Sequence, residues 1–168
     1  YKNSELSYIL QTKTGDLPEF PDRAEVYFMP YQRPNLLALE GAKQTAFKMG
    51  FRDPPQAVSS KIYRWTKRTN ALSTLEMNIV TGAFSIKYDW QNDQNIFINL
   101  SLPGKEQSKI EAISFLSKAE LPVYDLPTQK AEVFYEKVKG NKIITAVSLS
   151  EADFVRVEIY RKNINELP

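Results

Sequence analysis

Leu72-Ser73-Thr74-Leu75-Glu76-Met77-Asn78-Ile79-Val80, then Thr81-Gly82, then Ala83-Phe84-Ser85-Ile86-Lys87-Tyr88-Asp89-Trp90, is the most strongly patterned stretch of the chain. Leu75, Met77 and Ile79 alternate with polar residues, and so do Phe84, Ile86, Tyr88 and Trp90. Side chains of a strand point to opposite faces in turn, so this period describes two strands with one covered face. Thr81-Gly82 is short enough to make them antiparallel neighbours. Lys61 to Thr66 supplies a third strand ahead of them.

A helix precedes these strands. Leu36, Leu39, Ala42, Ala46 and Met49 recur at three- and four-residue steps and form one apolar stripe. Pro34 suits an early helical position and Gly50 a left-handed cap, with Phe51 folding back onto the stripe. The loop Arg52-Asp53-Pro54-Pro55 follows. Ahead of the helix, Ser7 to Thr12 and Ala24 to Met29 read as strands, separated by a turn at Gly15-Asp16-Leu17-Pro18.

The same order of elements returns in the second half. After the polar loop Gln91 to Asn95 comes the short apolar run Ile96-Phe97-Ile98-Asn99-Leu100, and Pro103-Gly104 resets the chain. Glu106 to Ala119 reads as a helix with Ile110, Ile113, Leu116 and Ala119 as its buried stripe, stopped by Pro122. Strands follow at Ala131 to Val138, Ile143 to Leu149 and Phe154 to Tyr160, the first two joined by the hairpin turn Lys139-Gly140-Asn141-Lys142. The expected fold class is α+β, built of two helix-plus-three-strand antiparallel units. Aligning the helix ends at Phe51 and Leu121 places Leu72 on Ile143 and Ile86 on Val157, a duplication of pattern without identity. The expected organisation is residues 1–34 as an extended segment packing on the core, 35–100 as the first unit and 101–168 as the second, all one compact domain.

Composition narrows the chemistry. Of 168 residues none is Cys and none is His. That removes disulfides, thiolate nucleophiles, imidazole bases and the usual zinc ligands. Lys and Arg total 22 against 20 Asp and Glu, a net charge of +2, too slight to imply a polyanionic partner. No run of 18 apolar residues is present. The chain begins at Tyr1 and ends at Pro168 within a polar segment, and it is expected to be a processed piece of a longer protein. G-x-S-x-G, S-x-x-K, H-E-x-x-H and phosphate-cradling loops are all missing. A hydrolase would need a Ser–Lys or paired-carboxylate site assembled from distant residues.

Four residues stand out as candidate contacts for a partner or ligand: Arg64, Trp65, Tyr88 and Trp90. Trp90 borders the polar loop and is the candidate for an exposed ring. Lys61, Arg64, Lys67 and Arg68 interleave with Tyr63 and Trp65, a pattern that single-stranded nucleic acid exploits. Strand alternation, however, puts Arg64 on the face opposite Tyr63 and Trp65, as expected for an aromatic core face and a solvated basic one. The acidic loop Asp89 to Asn95 offers oxygens but lacks the glycine and terminal glutamate of a calcium loop, so it reads as a polar turn. Neither a metal nor another cofactor is expected.

The order of elements resembles the PepSY type of α+β unit and the YycI and YycH ectodomains. The residues Leu17-Pro18, Pro21-Asp22-Arg23-Ala24, Leu36-Leu37-Ala38-Leu39 with Ala42, Tyr63-Arg64-Trp65-Thr66, Thr74 to Gly82 and Leu149-Ser150-Glu151-Ala152-Asp153 are similar to those of uncharacterised membrane-anchored envelope proteins of Candidate Phyla Radiation bacteria. The resemblance implies an extracytoplasmic domain, held by an anchor outside this chain, that regulates or binds another envelope protein. Binding of cell-wall glycan or peptide through aromatic side chains is the alternative, and nucleic acid is not an expected partner.

Overall fold

The computed structural model describes residues 37–163. The expected strands at Ser7 to Thr12 and Ala24 to Met29, the extended segment 1–34 and the first residues of the helix, Pro34 and Leu36, lie outside the described residues. All described residues fall in one compact unit. The element order is α1 (Ala38–Lys48), β1 (Gln56–Ala57), β2 (Ile62–Arg68), β3 (Leu72–Asn78), β4 (Phe84–Tyr88), α2 (Lys105–Lys118), β5 (Glu132–Lys139), β6 (Lys142–Thr145) and β7 (Phe154–Glu158). The protein is α+β; the described residues form two helices and two antiparallel sheets ordered β1-β2-β3-β4 and β6-β5-β7.

The first sheet follows the alternation closely. Trp65 lies opposite Leu75, and Leu75 opposite Ile86; Tyr63, Met77 and Phe84 form the next row. Trp65 and Leu75 are fully buried. Against this row of large side chains α1 presents Ala42, Ala46 and Met49, and Phe51 joins the same cluster. Small residues on the helix leave room for large ones on the sheet, which keeps the interior close-packed.

Both helices end alike. The Gly50 N–H donates to the Phe47 carbonyl and the Phe51 N–H to the Ala46 carbonyl, each at 2.9 Å. This is the paired bonding of a Schellman motif, with Gly50 in the left-handed region at φ +88°. At the end of α2 the Glu120 N–H donates to Ser117 at 2.9 Å and the Leu121 N–H to Leu116 at 3.0 Å. Here Glu120 takes the left-handed position at φ 55°. Leu121 and Ala119 then pack into the core of the first sheet.

The expected stripe of α2 is corrected. Ile110 is 59% exposed, whereas Ser108 is buried. Ser108, Ala112, Leu116 and Ala119 share the inward side, because Ala119 and Leu121 are drawn to the first core and set the helix rotation. A serine is tolerated there because its hydroxyl donates to the Gly104 carbonyl at 2.9 Å.

The two sheets differ in strand order. In the first, β2, β3 and β4 form a meander; in the second, β5 is central and β7 returns to its far side. Asp153 pins that return. Its N–H donates to the Glu136 carbonyl at 2.8 Å, and its Oδ2 accepts the Val138 N–H at 2.8 Å. The hairpin Lys139–Lys142 turns at Gly140, φ 63°, as expected. The strand expected to run from Ile143 to Leu149 stops at Thr145, and Leu149–Glu151 form a 3-10 turn.

Candidate functional site

The four candidate residues do not converge on one site. Trp65 is 1% exposed and belongs to the core, where its ring packs the interior. Arg64 projects from the opposite face of β2. Its Nε donates to Glu76 Oε1 at 2.8 Å and its Nη2 approaches the same oxygen at 2.6 Å. The two residues are cross-strand partners, so this guanidinium is already neutralised.

Tyr88 and Trp90 share a different environment, where β4 runs into the 3-10 turn Trp90–Asn92. The Tyr88 hydroxyl donates to Asp93 Oδ2, and Asp93 Oδ1 accepts the Asn95 N–H at 2.9 Å. The Tyr88 hydrogen bond, followed by the Asn95 N–H, holds the Asp93 carboxyl below its ordinary value. The same bond raises the Tyr88 phenol. Asn92 donates to Asp89 Oδ2 at 2.7 Å. The carboxylates of the polar loop are thus engaged within the loop. Among the described residues no group of three or more acidic side chains is placed to hold a metal ion.

Trp90 is half-buried in an aromatic trio that the sequence reading did not assemble. Its ring meets Phe154 at 5.4 Å and Phe97 at 6.3 Å, and Phe97 meets Phe154 at 5.8 Å. All three contacts are edge-to-face, the arrangement the ring quadrupoles favour. The trio joins the turn after β4, the apolar run and the start of β7.

Beside the trio lies a groove of about 340 Å³. Ile96, Leu100, Leu102, Pro103, Phe154, Val155 and Val157 make it apolar, and Ser108, Glu111 and Asp153 are its polar residues. Each of those polar residues already has a partner: Ser108 at Gly104, Glu111 at Gln107 and Asp153 at Val138. Phe97, Ile98 and Leu100 stand at 42%, 62% and 40% exposure. The apolar run forms no strand, so its alternate side chains are not drawn into a sheet. A volume of this size sits at the small end of ligand pockets and accommodates one or two apolar side chains.

Comparison with protein-family models, with curated proteins and with solved structures finds no match.

The groove was legible only in part. The run Ile96 to Leu100, apolar and bounded by a polar loop and by Pro103, is visible in the sequence. Its pairing with Phe154 and with the inward side of α2 is not. A second charged cluster was also unread: Arg156 stacks over Phe134 at 4.3 Å and pairs with Glu136 and Glu158. Tyr160 donates to Glu158 at 2.7 Å, which raises the Tyr160 phenol. This cluster is internally satisfied. No helix among the described residues is long and apolar enough to cross a membrane.

Proposed function

We propose that the chain is an extracytoplasmic, non-catalytic interaction or regulatory domain of a membrane-anchored envelope protein, and that it binds another protein through the groove beside Trp90. The observation that carries this reading is the apolar lining of the groove, with Leu100 of that lining 40% exposed and Phe97 and Ile98 exposed in the same run. Exposed patches of this kind, rimmed by polar residues, characterise interaction surfaces. The extracytoplasmic location and the anchor rest on the resemblance to envelope proteins. The finer reading of the fold, a duplicated PepSY or YycI unit, draws support from the two matching helix ends. The unlike strand orders count against it.

The glycan alternative has less support, because Trp65 is buried and the rings around Trp90 meet one another edge to face. The test is capture from detergent-solubilised envelope, comparing the wild-type chain with Leu100→Asp. Leu100 lines the groove and is 40% exposed, so the substitution leaves the buried core untouched. A protein retained by the wild type and lost from Leu100→Asp is the expected result. Equal capture by both, or enrichment of wall fragments alone, overturns the reading.

A further inference from the structure

We propose that the edge of β4, unpaired among the described residues, accepts an extended strand of a partner whose side chains alternate apolar and acidic. The first sheet has unequal edges. One is β1, only two residues long; the other is β4, which runs from Phe84 to Tyr88. Its hydrogen-bond phase follows from its ends: the Asn78 N–H donates to the Ala83 carbonyl at 2.8 Å and the Asp89 N–H to the Leu72 carbonyl at 2.9 Å. Antiparallel ladders alternate, so Ser85 and Lys87 also bond to β3, while the backbone groups of Phe84, Ile86 and Tyr88 face away from the sheet. Unpaired edge groups of this kind are a template for a further strand.

The side chains state which strand fits. Phe84, Ile86 and Tyr88 share the core-facing side, yet Ile86 is 38% exposed because the core cluster does not cover that edge. Apolar residues of an added strand would extend the core there. On the other face, Ser85 and Lys87 are exposed, and Lys87 lies opposite Thr74 with no ion pair among the described residues. An acidic residue beside Lys87 completes a cross-strand charge pair. A second copy of the chain fits less well. Pairing β4 with itself about Ile86 puts Lys87 opposite the second copy's Ser85, which supplies no anion. This inference does not use the groove, and its failure leaves the groove reading standing.

The test titrates the isotope-labelled chain with the peptide Thr-Val-Glu-Val-Glu-Val-Thr and with its counterpart carrying Lys for Glu. The amides of Phe84, Ile86 and Tyr88 should shift and gain exchange protection, whereas those of Ser85 and Lys87, already in the ladder, should gain none. The acidic peptide should bind about two- to fivefold more tightly than the basic one, the scale of a favourable cross-strand charge pair. Lys87→Glu should reverse that order. Ile86→Pro removes only an outward N–H and should abolish binding of both peptides. Binding of neither peptide by the wild-type chain, equal affinity for the two, or shifts confined to the groove residues overturns the proposal. So does self-association of the chain alone that Ile86→Pro dissolves, because the occupant is then a second copy.

Discussion

Glu120 holds a left-handed backbone conformation that costs a side-chain-bearing residue about 1 kcal/mol. Its carboxylate pairs with Lys48, but it is 72% exposed, and a surface pair of that kind contributes little. Glu120→Gly is therefore expected to stabilise the chain by roughly 0.5 kcal/mol, read from urea denaturation. The mirror experiment is Gly50→Ala. At φ +88° a Cβ is strained, and it would meet the Lys67 ammonium at 3.3 Å. A loss of about 1 kcal/mol or more is expected. If Glu120→Gly destabilised instead, the Lys48 pair would be the dominant effect. A second residue-scale prediction concerns Asp93. Its carboxyl is lowered, so the ionised form stabilises the folded state above the unfolded value of 3.8, and that contribution fades as the pH falls through the folded value. The stability difference between wild type and Asp93→Asn should be constant near neutrality and shrink at the acid end. A difference that stays level down to the acid end would refute the role of the Tyr88 bond.

At the scale of elements, α2 is the informative case. Spacing alone allows two inward sides for this helix, one led by Ile110 and Ile113, the other by Ser108, Ala112, Leu116 and Ala119. The second is inward because Ala119 is buried and Leu121 packs on the first core. Ile110→Lys should therefore change stability by no more than about 0.5 kcal/mol. Ala119→Asp, which places an unpaired charge in the core, should cost more than about 2 kcal/mol. Thermal or urea denaturation of both variants checks the assignment, and a large loss on Ile110→Lys would reverse it.

For the whole molecule, the position of α2 joins the halves. Its body packs on β5 and β7, while Ala119 and Leu121 belong to the core that holds Trp65 and Leu75. The Gln91 side chain also donates to Asn141 at 2.8 Å, across from the first half to the second hairpin. One cooperative unfolding transition is expected. In Trp90→Phe the remaining tryptophan, Trp65, reports the first core, and far-ultraviolet dichroism reports both sheets. The two curves should share a midpoint, and Leu121→Ala should move both together. Separate transitions would show that the halves fold independently.

Local pattern specifies the fold class, eight of the nine elements described here and the ends of both helices. Those features follow from local rules: alternation along Leu72 to Tyr88, the turn at Gly140, the left-handed cap at Gly50 with Phe51 folding back. They depend on neighbours a few residues apart, so one chain displays them. The short β1 escaped because two residues carry no period. The rest needs three dimensions. The central place of β5, the outward turn of Ile110 and the meeting of Trp90, Phe97 and Phe154 all arise from contacts between distant segments. A period of two or of three to four shows that a face is apolar. Which apolar face finds a partner, and which remains in water as the lip of a groove, depends on how sheets and helices compete for the same buried volume.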